Sequence, residues 1–334
     1  MKNEQKMTAK HLRSLILCFL LFLSISILAS YARWGGEVVT KPWPDVQQYL
    51  LAFKNINSSA PPYRYRPWTP LLARTVPAPP ERWLDPDLPV ERQQIFFRFL
   101  IVNVLGLAVA ATALRSLASQ LSRSSRGGWL ASVFFITSFY PLTAGTLPMV
   151  EAWSYAWLAL GLIALLKRQH LALAIAISLG LLCKETTLLL LPAVLLLPSN
   201  RKQRVEQALA LLLPTVGYLL FRRFGFPASA PLYSVESTSS WLRQLFVSGE
   251  KLPNGLFQMF AAFHLLWIPA LAALWRRRHD RSDPLVRWSV LIPIVLAIPF
   301  LFALVPGRLW FFAFPFVLPL AALGVLDRLK PANA

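Results

Sequence analysis

The chain has 334 residues, of which 56% are hydrophobic and 15% charged, and its mean hydropathy is +0.50. So few charges, against about 25% in a typical soluble domain, exclude a soluble globular protein and a disordered one. A formal charge of +19 with no helix-turn-helix, zinc-ligand or aromatic RNA-binding pattern places Lys and Arg beside lipid headgroups and argues against a nucleic-acid partner.

The first apolar run, 15–29, follows a basic start with Lys2, Lys6, Lys10 and Arg13. Residues 29–32 loosely resemble a signal-peptide cleavage site, but Tyr31 and Trp34 read as interfacial anchors, and an uncleaved signal anchor is expected. Further runs lie at about 99–114, 129–145, 150–166, 169–183, 186–199, 206–221, 255–275, 286–305 and 309–326. They are continuous where a membrane β-barrel would alternate. The expected fold is therefore an all-α polytopic transmembrane bundle of about ten spans, forming one integral-membrane domain over 1–334. Several runs are shorter than the roughly 20 residues a straight span needs, so flanking residues must snorkel.

Lys184 and Glu185 interrupt the apolar stretch 170–198, which reads either as one helix or as a hairpin. The hairpin places 18 of the 34 Lys and Arg, in the N-terminus and short loops, on one side, which the positive-inside rule favours. Both termini are then expected in the cytoplasm. Two long segments, 32–98 and 222–255, are left outside. In the first, Val46, Tyr49, Leu50 and Phe53 form a helical stripe, and 89–97 reads as a second surface helix.

Residues able to do chemistry fall on that outer side. Asp45 opens the first surface helix. It reads as a capping-box residue with Gln48 three positions on, or as a carboxylate able to take a proton from an acceptor hydroxyl. Arg64, Arg66 and Arg74, set among Tyr, Trp and Pro, read as an interfacial anchor or as a rigid surface for a lipid-linked phosphate. Glu151 lies at the outer end of the fourth span. Lys184 and Glu185 either pair with each other to fix the hairpin turn or face the cavity of Asp45. Arg308 precedes the last span, as a snorkelling residue or a phosphate contact. Cys18 and Cys183 lie in separate apolar runs, and the four histidines have no ligand spacing, so no metal residues are assigned.

Asp45 and Tyr49, the stretch Tyr63-Arg64-Tyr65-Arg66-Pro67-Trp68-Thr69-Pro70, the turn Lys184-Glu185-Thr186, and Gly307-Arg308 before a Phe- and Pro-rich last span together resemble the C-type membrane glycosyltransferase superfamily, which has many bacterial members. The resemblance implies transfer of a sugar from a polyprenyl-phosphate donor to an acceptor hydroxyl of a glycan or lipid, on the outer face of a bacterial inner membrane. It makes Asp45 the catalytic base candidate. Arg64, Arg66 and Arg308 become donor-phosphate candidates, and Tyr49, Glu151, Lys184 and Glu185 substrate-cavity candidates. No cofactor is assigned, with a divalent metal left open, because many members have paired acids where Asp45 stands without an adjoining one. A flippase or transporter for a lipid-linked glycan and a non-catalytic subunit of a polysaccharide assembly complex are the competing readings.

Overall fold

The computed structural model describes residues 2–33, 37–60, 63–197, 201–225, 251–280, 282–301 and 306–329. Helix makes up 84% of the structure, and no strand occurs among the described residues. Backbone groups in hydrocarbon must be satisfied within their own segment, and a chain this apolar meets that demand with helices.

The first helix, α1 (Lys2–Arg33), buries Cys18, Phe22 and Ser26. A connecting segment follows, with α2 (Pro44–Lys54) and α3 (Trp68–Thr75) joined by 3-10 turns. The membrane part continues through α4 (Val90–Ser122), α5 (Ser125–Ile136), α6 (Phe139–Thr146), α7 (Glu151–Leu166), α8 (His170–Cys183), α9 (Leu190–Leu195) and α10 (Arg201–Phe224). It ends with α11 (Lys251–Phe263), α12 (Trp267–Arg277), α13 (Leu291–Leu301) and α14 (Phe314–Leu329). Four stretches are long and apolar enough to cross a membrane: Val90–Ser122, Lys202–Phe224, Gly255–Arg277 and Arg308–Leu329.

Burial orders these helices. The apolar window of the last stretch is 83% buried and that of α4 67%, against 17% for Lys202–Phe224. The last helix is thus the axis of the bundle, and α10 lies at its rim. Close packing on that axis depends on Gly324, where a Cβ would meet the Pro269 carbonyl oxygen at 2.0 Å.

Several boundaries differ from the sequence expectation. The stretch 89–97 is no separate surface helix: it forms the first turns of the 33-residue α4, because nothing between Val90 and Leu105 breaks the helix. Residues 90–98 therefore belong to α4. Arg222 and Arg223 belong to the last turn of α10, not to a loop. Residues 226–250 of the second expected outer segment lie outside the described residues. The run 129–145 is cut at Thr137–Ser138, and 286–305 is cut between Trp288 and Leu291.

The hairpin is the form observed. Helix α8 stops where Lys184 turns to extended backbone (φ −167°, ψ 143°). The chain then folds back, so that a Cβ on Gly180 would lie 2.4 Å from the Thr187 side chain. Trp288 fixes the returning arm by donating to the Ala193 carbonyl at 3.1 Å.

The segment between α1 and α4 is tied down by side chains. Arg74 donates to the carbonyls of Phe53 (2.6 Å) and Ala52 (2.8 Å), covering the C-terminal end of α2. The Gln48 side chain accepts from the Ala60 N–H at 2.8 Å. Arg92 at the start of α4 donates to the carbonyls of Val39 and Thr40. The loop is thereby a built platform over the helix ends.

Candidate functional site

Asp45 does not cap its helix. The N-cap is Trp43, with Pro44 at the first position, and Gln48 is turned to Ala60. Its carboxylate is left for tertiary partners. The Tyr63 hydroxyl donates to Oδ1 at 2.5 Å, and the Arg308 guanidinium is paired with Oδ2. Tyr63 opens a one-turn 3-10 helix, Tyr63–Tyr65.

From Arg308 the contacts run inward. Its Nη1 lies 3.6 Å from Glu151 Oε1 and 3.4 Å from the Met149 sulfur. Glu151 is in the first turn of α7, where a carboxylate suits the positive end of the helix and accepts the Val150 N–H at 3.1 Å. Lys184 Nζ meets Glu151 Oε1 at 2.6 Å and stands 5.5 Å from the centre of the Phe312 ring. Lys184 and Glu185 do not pair with each other: the break at Lys184 sends them to different carboxylate and guanidinium partners.

Glu185 heads a second arm. Arg66 donates to its Oε2 through Nε (3.1 Å) and Nη2 (2.8 Å), and through Nη1 to the Tyr49 hydroxyl at 3.3 Å. Tyr218 donates to Glu185 Oε1 at 3.2 Å, and Arg222 Nη1 lies 3.5 Å from the same oxygen. The Tyr49 and Tyr63 rings meet edge to face at 5.2 Å and join the two arms.

Seven of the eight residues to which the resemblance assigns a role thus fall in one network: Asp45, Tyr49, Arg66, Glu151, Lys184, Glu185 and Arg308. Arg64 does not join it. Its Nε donates to the Ser59 carbonyl at 2.9 Å, two residues away from Arg66 but on its own loop. Arg74 is likewise spent on α2. Tyr63, Tyr218 and Arg222 are members that the sequence reading did not nominate. Tyr218 and Arg222 are four residues apart, hence on one face of α10, and that spacing was the available signal.

Charge and burial give the network its character. Three carboxylates face four cations, leaving one surplus positive charge. The middle is closed, with Glu151 3% and Lys184 10% exposed, and the two ends are open, with Asp45 30% and Arg222 36% exposed. Burial pushes the Tyr49 phenol above its usual value, with the Arg66 charge offsetting part of the rise. Burial raises Tyr63 as well, and its hydrogen bond to Asp45 adds to the effect. Both hydroxyls are held protonated, Tyr63 donating to Asp45 and Tyr49 accepting from Arg66. Burial is the largest influence on Arg66 and opposes its charge, but Glu185 and Tyr49 together outweigh it and hold the guanidinium well above its usual value. No group of three or more His, Cys, Asp and Glu side chains gathers as for a metal ion among the described residues.

The network gathers at one end of the bundle helices, where α7 begins, α8 stops and α10 ends, with Arg66 supplied by the connection between α2 and α3. At the other end are Arg276 with Asp327 (3.5 Å), Arg277 with Asp283 (3.2 Å) and His170 with Glu206 (3.2 Å). The network is therefore one-sided. It can bind an anion, hold a hydroxyl for deprotonation, and keep its buried middle out of water.

No family model matches the chain, and no curated protein sequence matches it. Among solved structures it is similar to the apo oligosaccharyltransferase of Archaeoglobus fulgidus, with a TM-score of 0.60 and 13% identity, over 96% of this chain and 51% of that one. At that identity the likeness shows the fold. The chain has an oligosaccharyltransferase-like helical fold and spans about half the length of that protein.

Proposed function

We propose that the chain is a membrane glycosyltransferase that moves a sugar from a polyprenyl-phosphate donor to an acceptor hydroxyl on a glycan or lipid. The observation that carries this reading is the convergence of Asp45 with Arg66, Lys184, Arg222 and Arg308, from five separate segments, at one end of an oligosaccharyltransferase-like bundle. The confinement of this network to one end, apart from the ion pairs at the other, supports a one-sided site over a polar path through the membrane, which a flippase needs.

In this mechanism the acceptor oxygen forms a bond to the anomeric carbon as its proton passes to the Asp45 carboxylate. The bond from that carbon to the phosphate oxygen breaks, and the phosphate leaves with the electron pair. Cations aimed at the leaving group stabilise the charge that develops, and removal of one costs about 3 kcal/mol of transition-state stabilisation. Tyr63 orients Asp45 through Oδ1. The buried Glu151–Lys184 pair keeps Arg308 in place and the cavity floor dry. The site opens to the extracytoplasmic side of a bundle of about ten spans in a bacterial inner membrane, with both termini in the cytoplasm.

The test is Asp45→Asn in vesicles supplied with a polyprenyl-phosphate sugar. The variant is expected to insert and fold as the wild type does while its transfer rate falls by about a hundredfold or more. Unchanged turnover removes Asp45 as the base. Movement of donor lipid across the bilayer by the wild type, with no covalent product, replaces this reading with transport.

A further inference from the structure

The four cations of the network have different duties if the site transfers sugar from a lipid phosphate, the reading on which this inference rests. In an in-line displacement the attacking hydroxyl and the departing phosphate stand on opposite sides of the anomeric carbon. The base lies about 3 Å from the hydroxyl oxygen, that oxygen about 3 Å from the carbon, and a phosphate oxygen about 3 Å from the guanidinium that holds it. Base and phosphate-holding cation are then about 9 Å or more apart. Arg308 does not meet this condition, because it is in direct contact with Asp45. Two carboxylates, Asp45 and Glu151, also already share its charge. Lys184 is closed in against Glu151 at 2.6 Å.

The far arm is different. There two guanidinium groups, Arg66 and Arg222, share one carboxylate, Glu185, so the surplus positive charge lies at this end. Arg66 directs its donors to Glu185 and Tyr49. Arg222 approaches Glu185 only to 3.5 Å and has the most exposed side chain of the network, at 36%. Its guanidinium lies over the Tyr65 ring at 4.5 Å and near that of Tyr218 at 5.8 Å, which fixes its plane. It stands in the last turn of the rim helix α10, next to Leu219, Leu220, Phe221 and Phe224, all exposed. An anion tethered to hydrocarbon finds a charge and an apolar track side by side here.

We propose that Arg222, backed by Arg66, is the subsite for the phosphate of a long-chain lipid-phosphate donor whose tail lies along the exposed face of α10. Arg308 is then the partner of the base and not of the phosphate. One phosphodiester charge neutralises the network. Sugar and acceptor occupy the space between the Arg222 and Asp45 ends.

The experiment uses the full chain in phosphatidylcholine nanodiscs titrated with undecaprenyl phosphate. Arg222→Ala is expected to weaken binding about tenfold or more, Arg222→Lys by less, and Arg308→Ala by less than Arg222→Ala. Wild-type affinity in Arg222→Ala, or a larger loss in Arg308→Ala, overturns the assignment. Should Arg222→Ala fail to fold, a photoreactive lipid phosphate on the wild type is expected to label residues 218–222, and labelling confined to other helices overturns it. Equal affinity for phosphatidylglycerol marks a general bilayer-lipid site, and displacement by inorganic phosphate at matched concentration marks a plain anion site. Either result overturns the donor subsite. Binding at Arg222 without sugar transfer refutes the glycosyltransferase reading and leaves the subsite. Transfer with an unchanged KM in Arg222→Ala refutes the subsite and leaves the glycosyltransferase.

Discussion

Glu151 and Lys184 are the deepest charges of the site, and the strength of their pairing can be measured. Nζ and Oε1 are 2.6 Å apart, and the side chains are 10% and 3% exposed. Removing one partner of such a pair costs about 3–5 kcal/mol, because the other charge remains desolvated. The two single variants are not equivalent. Lys184→Met leaves Glu151 with Arg308 at 3.6 Å and the Val150 N–H at 3.1 Å. Glu151→Gln leaves Lys184 with the Phe312 ring at 5.5 Å and strips Arg308 of one carboxylate. Glu151→Gln is therefore expected to destabilise by about 4 kcal/mol and Lys184→Met by about 2 kcal/mol. The double variant is expected to lose about 2 kcal/mol less than the sum of the two. Equilibrium unfolding of the four proteins in mixed detergent micelles gives the cycle. Losses that add to within about 0.5 kcal/mol would show that the two side chains do not depend on each other, and the account of a closed, paired middle would fail.

Gly324→Ala is expected to destabilise by about 1–3 kcal/mol, since its Cβ would press on the Pro269 carbonyl, whereas Gly217→Ala, with nothing within 4 Å, is tolerated; thermal unfolding midpoints separate the two. Arg74→Ala releases two carbonyls at the end of α2 and is expected to cost about 1–2 kcal/mol, seen as faster amide exchange over 44–54. Alkaline titration tests Tyr49 and Tyr63. Both have folded-state values above the ordinary value of 10.0, so their contribution to stability is complete below about pH 10 and declines as pH rises beyond it. Absorbance at 295 nm should show these two phenols ionising only as the segment between α1 and α4 unfolds; early, independent ionisation would mean that they are not buried.

Reading the fold from the sequence worked where the cause was local. Apolar runs, proline breaks and the stripe through Val46, Tyr49 and Leu50 depend on neighbours within a turn or two, and the helices formed where those signals lay. Errors arose where the signal was equally local but ambiguous. The segment 89–97 looked like a surface helix because its polar residues stop the apolar run, yet a helix continues through polar residues when nothing breaks its backbone.

The site divides in the same way. Composition and order alone determined that the chain is helical and apolar enough for a membrane and that its acids and arginines fall at the ends of the apolar runs, because desolvation penalises charge within them. The tertiary structure decided which of them meet. Arg64 and Arg66 are the same residue type two positions apart, but a 3-10 turn sends the first to Ser59 and the second across 119 residues to Glu185. Asp45 finds Arg308 across 263 residues, and Arg222 enters only because α10 runs one turn further than its apolar run. Such pairings depend on how helices are packed against one another, and no short stretch of sequence holds that information.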